Sequence, residues 1–227
     1  VHSLTKFIGG HGIALGGAVV DAGRFRWEQD PERFSTLCQP YDGFHGLNFV
    51  DEFGPSAFII RARREGLRDF GAVMSPSTAF HLLQGLETLP LRMARHVENA
   101  VKVAEFLQES ELVNQITYPT LPDHPDHALA KRLLPRGAGA VFSFEIRGGR
   151  DAGRKLIENL KLFSHLANVG DAKSLVIHPA STTHSRMDDE ALDEAGIAQG
   201  LVRLSIGLED PADLIDDLAR ALYQSQK

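Results

Sequence analysis

The chain has 227 residues, 43% hydrophobic and 24% charged, enough apolar material to bury one large core or two smaller ones. A formal charge of -6 opposes the phosphate attraction on which nucleic-acid binding rests, and no apolar run is long enough to cross a bilayer. DNA, RNA and membranes are therefore not expected partners, and the single cysteine, Cys38, excludes an intrachain disulfide and fits a reducing cytoplasm.

Val1 stands where a methionine would open a chain, and no signal or transit segment precedes the first structured stretch, so the start reads as truncated. Residues 1–5 read as the end of an extended segment, followed by turns at Gly9, Gly10, Gly12, Gly16 and Gly17 and a short apolar run, Ala18-Val19-Val20. Residues 31–48 carry little regular pattern: Pro40-Tyr41-Asp42-Gly43 is a turn, and residues 41–46 read as surface loop. Within this stretch Cys38 reads as a small, partly buried hydrophobe.

A helix is expected over 53–65, with Phe58, Ile59 and Ala62 inward, Arg61-Ala62-Arg63-Arg64 mostly solvated, and Gly66 as terminator. Ser75-Pro76 opens a second helix as N-cap and first helical residue, with Phe80, Leu82, Leu83 and Leu86 expected to be buried. Pro90 should kink or break it. Helical spacing resumes from Leu91 through Val97, Val101, Ala104 and Leu107, a long connecting helix. Beyond Glu111, strand and helix patterns alternate over 113–118, 128–134, 140–146, 152–160 and 201–206, which describes an α/β module. Its last helix begins at Asp210-Pro211 and carries Leu214, Ile215, Leu218 and Leu222 along one stripe.

The strongest chemical constellation is Ser3-Leu4-Thr5-Lys6-Phe7-Ile8-Gly9-Gly10-His11-Gly12. In an extended segment residues 3 and 5 share a side, so both hydroxyls can donate to one anion such as a phosphate. Lys6 then lies beside that anion, where a desolvated amine can form a Schiff base with an aldehyde. His11 reads as a turn histidine satisfied by backbone groups. His124, His127, His178 and His184 lack an accompanying cysteine or carboxylate cluster at ligand spacing, so no catalytic metal is expected.

Thr5-Lys6-Phe7-Ile8-Gly9-Gly10-His11 resembles the attachment signature of the Cys/Met-metabolism family of pyridoxal-phosphate (PLP) enzymes. The resemblance continues through 71–76, 85–93, 167–175 and 178–184, and the last two stretches are similar to the sulfhydrylase branch more than to its cystathionine-forming relatives. It implies an α/β fold of the PLP-dependent transferase, aspartate-aminotransferase-like type (fold type I), incomplete at the N-terminus. Residues 1–90 would be the tail of the large cofactor domain, and 91–227 a linking helix and a small C-terminal α/β domain.

The resemblance also implies site roles: Lys6 holds the cofactor covalently, Ser3 and Thr5 bind its phosphate, Arg203 takes the substrate carboxylate, and Ser174 and Thr183 lie near that carboxylate. The activity implied is γ-replacement on O-acetylhomoserine by sulfide or a thiol, giving homocysteine or methionine, in a cytoplasmic homo-oligomer, a dimer of dimers. Siblings acting on O-succinylhomoserine, or forming or cleaving cystathionine, share these roles. A non-catalytic C-terminal fragment, perhaps completed by a separate N-terminal piece, is the reading from another class.

Overall fold

The computed structural model describes all 227 residues, in two compact units: Val1–Ser3 with Gly16–Phe80, and Leu4–Leu15 with His81–Lys227. In the first, β1 (His2–Ser3) pairs antiparallel with β2 (Gly17–Ala18), Ser3 opposite Gly17. The extended pairing stops at Ser3, because residues Leu4–Ile8 turn, with a kink at Lys6 whose backbone (φ -88°, ψ -132°) is not helical. The alternation that put Ser3 and Thr5 on one side needs unbroken extended backbone, so that derivation is corrected.

Helix α1 (Ser35–Cys38) is short, and α2 (Phe49–Phe53) starts at Asn48, whose Oδ1 accepts from Val50 N at 3.0 Å and Asp51 N at 3.2 Å. The helix expected over 53–65 is interrupted by Gly54-Pro55 and resumes as α3 (Ala57–Arg61). A wider-pitched turn, Ala62–Asp69, then carries it through Gly66 to Gly71, which takes the left-handed φ of 70° that Gly66 does not.

Arg61 is a second correction, because it is packed rather than solvated. Its guanidinium lies 4.2 Å from the Tyr41 ring centroid and 5.4 Å from that of Phe49, and pairs with Glu65 at 2.6 Å. Stretch 41–46 is likewise a loop whose aromatic side chains turn inward. Tyr41 and Phe44 pack, with Trp27 and Phe58, around buried Leu37, Phe49 and Ala57.

The division between the units falls inside α4 (Pro76–Glu87), which Ser75 caps by accepting from Thr78 N at 3.1 Å. Of the three leucines and one phenylalanine expected inside, only Leu82 is buried; Phe80, Leu83 and Leu86 are 59%, 58% and 46% exposed. Residues 80, 83 and 86 follow one i, i+3 line and Leu82 another, and apolar identity alone does not say which line packs.

In the second unit α5 (Leu89–Glu109) begins after Thr88, with Pro90 in its first turn, where a missing N–H breaks no helical bond. Its inner stripe is polar at Arg92, His96 and Asn99 and apolar at Ala100, Val103, Ala104 and Leu107. A five-stranded sheet follows, of β3 (Val113–Thr117), β4 (Val141–Ile146), β5 (Ser164–His165), β6 (Leu175–Ile177) and β7 (Leu201–Ser205). Its order is β3-β4-β7-β6-β5, antiparallel except for the β5–β6 pair.

Helices α6 (His127–Leu133), α7 (Gly149–Asn159), α8 (Asp189–Glu194) and α9 (Pro211–Ser225) complete the unit. Asp210 caps α9 by accepting from Ala212 N at 2.8 Å, and Leu214, Leu218 and Ala221 meet Leu156 of α7 in the main core. No helix is long and apolar enough to cross a membrane.

Candidate active site

The turn at Leu4–Ile8 is closed by Gly9 N donating to Leu4 O at 2.8 Å and Gly10 N to Lys6 O at 2.7 Å. Gly10 has a φ of 68°, and a Cβ there would run into the Arg92 guanidinium, so the glycine permits both the turn and a close approach. Gly10 O in turn accepts from Ala172 N at 2.8 Å, which fastens the lysine loop to residues 168–174.

That second loop is held from below by β7. Gly170 N donates to Ser205 Oγ at 2.9 Å, and Gly170, with a φ of 78°, passes so near Phe7 that a side chain would collide with its backbone nitrogen. The two loops bring together Lys6 and Asn168: the lysine Nζ donates to Asn168 Oδ1. Arg203, in the middle of β7, makes a long contact from its guanidinium to Asn168 O at 3.4 Å. A cleft of about 270 Å³ opens over Thr5, Lys6, Gly12, Ile13, Ala14, Leu15 and Asn168. A larger concavity, about 510 Å³, lies along the β3 edge beside Gln108, Asp123 and His124, away from the lysine.

Ser174 is not in the cleft. It is fully buried; its Oγ donates to Glu209 Oε2 at 2.8 Å and accepts from Gly207 N at 2.8 Å, and its own N donates to Glu209 Oε1 at 2.6 Å. Donating to Glu209 and accepting from Gly207, the hydroxyl ties residues 168–174 to the end of β7. Thr183 is exposed and pairs with His184 Nδ1 at 2.9 Å, and Ser3 is exposed at the end of β1. His11 Nδ1 meets Gly9 O at 2.6 Å, a turn histidine bonded to backbone.

Asn168 is the residue that sequence reasoning missed. It lies inside the stretch 167–175, where the usable signal is a carboxamide two residues before a glycine that must turn.

His178 is fully buried. Its Nε2 faces Gln199 O at 2.7 Å, and a carbonyl can only accept, so that nitrogen carries the proton and Nδ1, 2.8 Å from Ser181 Oγ, is the acceptor. Burial holds its pKa below the ordinary value, against the raising pull of the Gln199 carbonyl. His96 is also buried, bonded through Nδ1 to Ile206 O at 2.7 Å and edge-on to Phe7 at 5.2 Å between ring centroids, and burial depresses its pKa in the same way. Nowhere do three or more His, Cys, Asp or Glu side chains converge as metal ligands.

Lys6 thus lies at a cleft beside a glycine-rich turn, bonded to Asn168, whose backbone carbonyl meets Arg203 of β7. The chain belongs to the Cys/Met metabolism PLP-dependent enzyme family, whose model matches residues 1–223. It is 48% identical over 221 residues to a homocysteine synthase of Schizosaccharomyces pombe, covering 97% of this chain and 52% of that protein. It is also 48% identical over 231 residues to an O-acetyl-L-homoserine sulfhydrylase of Leptospira meyeri, covering 98% and 52%.

Among solved structures, that described as an O-acetylhomoserine (thiol)-lyase of Campylobacter jejuni, with N'-pyridoxyl-lysine-5'-monophosphate, superposes with a TM-score of 0.88 at 41% identity, over 98% of this chain and 53% of the other. A cystathionine gamma synthase of Xanthomonas oryzae pv. oryzae, in complex with cystathionine, gives 0.73 at 36% identity, over 99% and 49%. The mixed α/β architecture is therefore that of PLP-dependent enzymes of sulfur amino-acid metabolism, and the chain spans about half the length of the relatives it matches.

Proposed function

We propose that the chain carries the lysine-bearing part of a PLP-dependent γ-replacement site, in which O-acetylhomoserine exchanges acetate for sulfide or a thiol to give homocysteine or methionine. The observation that carries this reading is Lys6 Nζ presented at the cleft and held by Asn168, within reach of the strand that bears Arg203. The donor set fits the cofactor: a primary amine for its aldehyde, with Thr5 lining the same cleft. Pyridoxal phosphate, when bound, supplies the electron sink that makes the substrate's Cα and Cβ protons removable.

The protein's own groups do the rest. Lys6 would hold the cofactor through its amine, and the same amine, lying beside the substrate's Cα and Cβ, would take up and return protons at those carbons. Asn168 Oδ1 accepts from that amine and keeps its lone pair aimed. Arg203 offers a planar guanidinium to the α-carboxylate. Ser3 and Thr5 take the phosphate on the strength of the family signature, and Ser174, by the same resemblance, lies near the substrate carboxylate while its hydroxyl links Gly207 N to Glu209. Thr183 stays a candidate neighbour of the substrate by resemblance alone.

In this reading residues 1–90 continue the large cofactor domain, 91–227 form the linking helix and small domain, and the working enzyme is a cytoplasmic homo-oligomer, a dimer of dimers. Among the solved structures, 41% identity to the O-acetylhomoserine (thiol)-lyase against 36% to the cystathionine gamma synthase supports the sulfhydrylase reading over the cystathionine-forming one. Lys6→Ala should abolish turnover in the whole protein; appreciable multiple-turnover product from that variant would sink the assignment.

A further inference from the structure

Two stretches of sequence some eighty residues apart, the glycine-rich lysine loop and the turn leading into α5, meet at one side chain. Arg92 is 6% exposed and faces no carboxylate. Its NH1 donates to Phe7 O at 2.8 Å, its NH2 to Ile8 O at 3.1 Å and Gly85 O at 2.6 Å, and its Nε to Thr88 Oγ1 at 3.2 Å. The two loop carbonyls belong to the residues immediately after Lys6, where the Leu4–Ile8 turn ends and has no helical partners for them. Gly85 O lies in the last turn of α4, where the helix dipole favours a cation.

The glycines around this contact have one explanation. A Cβ on Gly10 would strike the guanidinium, one on Gly85 would strike Gly9 and Ile8 backbone, and one on Gly9 would lie 2.8 Å from Leu4 O and 2.9 Å from Leu82. Further along the same stripe of α5, His96 holds Ile206 O at 2.7 Å, and Asn99 Nδ2 holds Gly207 O at 3.0 Å and Glu209 O at 2.8 Å. One helix face therefore grips the backbone just after Lys6 and the backbone just after Arg203.

We propose that Arg92 is a positioning residue for Lys6: its planar fork, bound to the carbonyls of Phe7, Ile8 and Gly85, fixes the lysine loop relative to the arginine-bearing strand. The inference rests on the reading of Lys6 as the cofactor lysine. A guanidinium suits the task because it offers five donors in a rigid plane, whereas an ammonium cannot serve three divergent carbonyls and Thr88 at once. Burial pulls its pKa below that of a free guanidinium, yet the group stays charged, since nothing nearby can take its proton.

The test uses Arg92→Lys and the milder Thr88→Val, which removes the Nε contact and the long Thr88 hydroxyl contact to Gly85 O at 3.5 Å but leaves the three guanidinium–carbonyl bonds, in the whole protein. Three quantities are read: amide hydrogen exchange at Gly9 and Gly10, kcat against KM, and the thermal midpoint. In Arg92→Lys, exchange at these two amides should rise at least about tenfold more than in β4 and β7, with kcat falling about a hundredfold, as for a reacting group displaced by an ångström, and KM unchanged. Thr88→Val should shift the same quantities in the same direction by less.

Exchange that rises equally through α5 and the sheet, with kcat tracking only the folded fraction, would make Arg92 a general packing residue and overturn the proposal. So would unchanged exchange at Gly9 and Gly10 in a folded Arg92→Lys protein. Failure of the underlying reading shows separately, as no fixation of pyridoxal phosphate on Lys6 by borohydride in the unsubstituted protein, while the exchange result still reports on the loop.

Discussion

Replacing Ser174 by alanine separates a substrate contact from a structural tie. The hydroxyl is fully buried and bridges Gly207 N and Glu209 Oε2, each at 2.8 Å. Without it, a buried backbone N–H loses its acceptor and a carboxylate loses a donor; the small cavity left by one oxygen holds no obvious replacement. Leaving a buried donor unmet costs about 1–3 kcal/mol and a bond to a charged acceptor is of similar size, so a net loss of about 3 kcal/mol is expected.

At roughly 2–4 °C per kcal/mol for a chain of this size, the thermal midpoint should fall by about 6–12 °C. Scanning calorimetry of the whole protein gives the shift, and steady-state kinetics below the transition gives KM, expected to stay within about twofold. A variant with an unchanged midpoint and a KM raised tenfold or more would refute this reasoning and return Ser174 to the substrate, as the family resemblance alone implied.

Arg203→Lys should raise KM for the amino acid about ten- to hundredfold, the loss of one of two charge-assisted bonds at about 1.5–3 kcal/mol, and a KM within twofold of the parent would exclude Arg203 as the carboxylate ligand. Asn168→Ala should lower kcat more than it raises KM, since it frees the Lys6 amine; the reverse pattern would make Asn168 a binding residue only. His96 and His178 both titrate below the usual 6.5 in the folded chain, so the unfolded chain takes up protons first and stability should decline as pH drops through about 6.5, until the folded-state values are passed. Urea midpoints at a series of pH values between about 7 and 5 check this, and a midpoint that rises on acidification contradicts it.

The last helix was legible to the residue, because Asp210-Pro211 states a cap and a start and the leucine stripe states a face. So was the break before Pro90, since a proline belongs in a first turn. The burial of α4 was not, because its apolar residues lie on more than one line and tertiary contact selects between them. Arg61 was misread for a related reason: charge predicts solvent, and only folding brings Tyr41, Phe49 and Glu65 around it. Strands β5 and β6, two and three residues long, fall below any periodic signal.

At the site, Lys6 was evident from its own motif, whereas the partnership with Asn168 depends on a contact across 162 positions that no local pattern records. Arg92 lies within the motif stretch 85–93, but only the fold brings three carbonyls from two segments onto it.

The most direct test of the central claim is borohydride reduction of the whole protein with added pyridoxal phosphate at neutral pH, followed by peptide mapping. The expected result is a visible band that reduction abolishes and a single pyridoxyl adduct on Lys6; a stable adduct on another lysine, or no band at all, would contradict the assignment of Lys6 as the cofactor lysine.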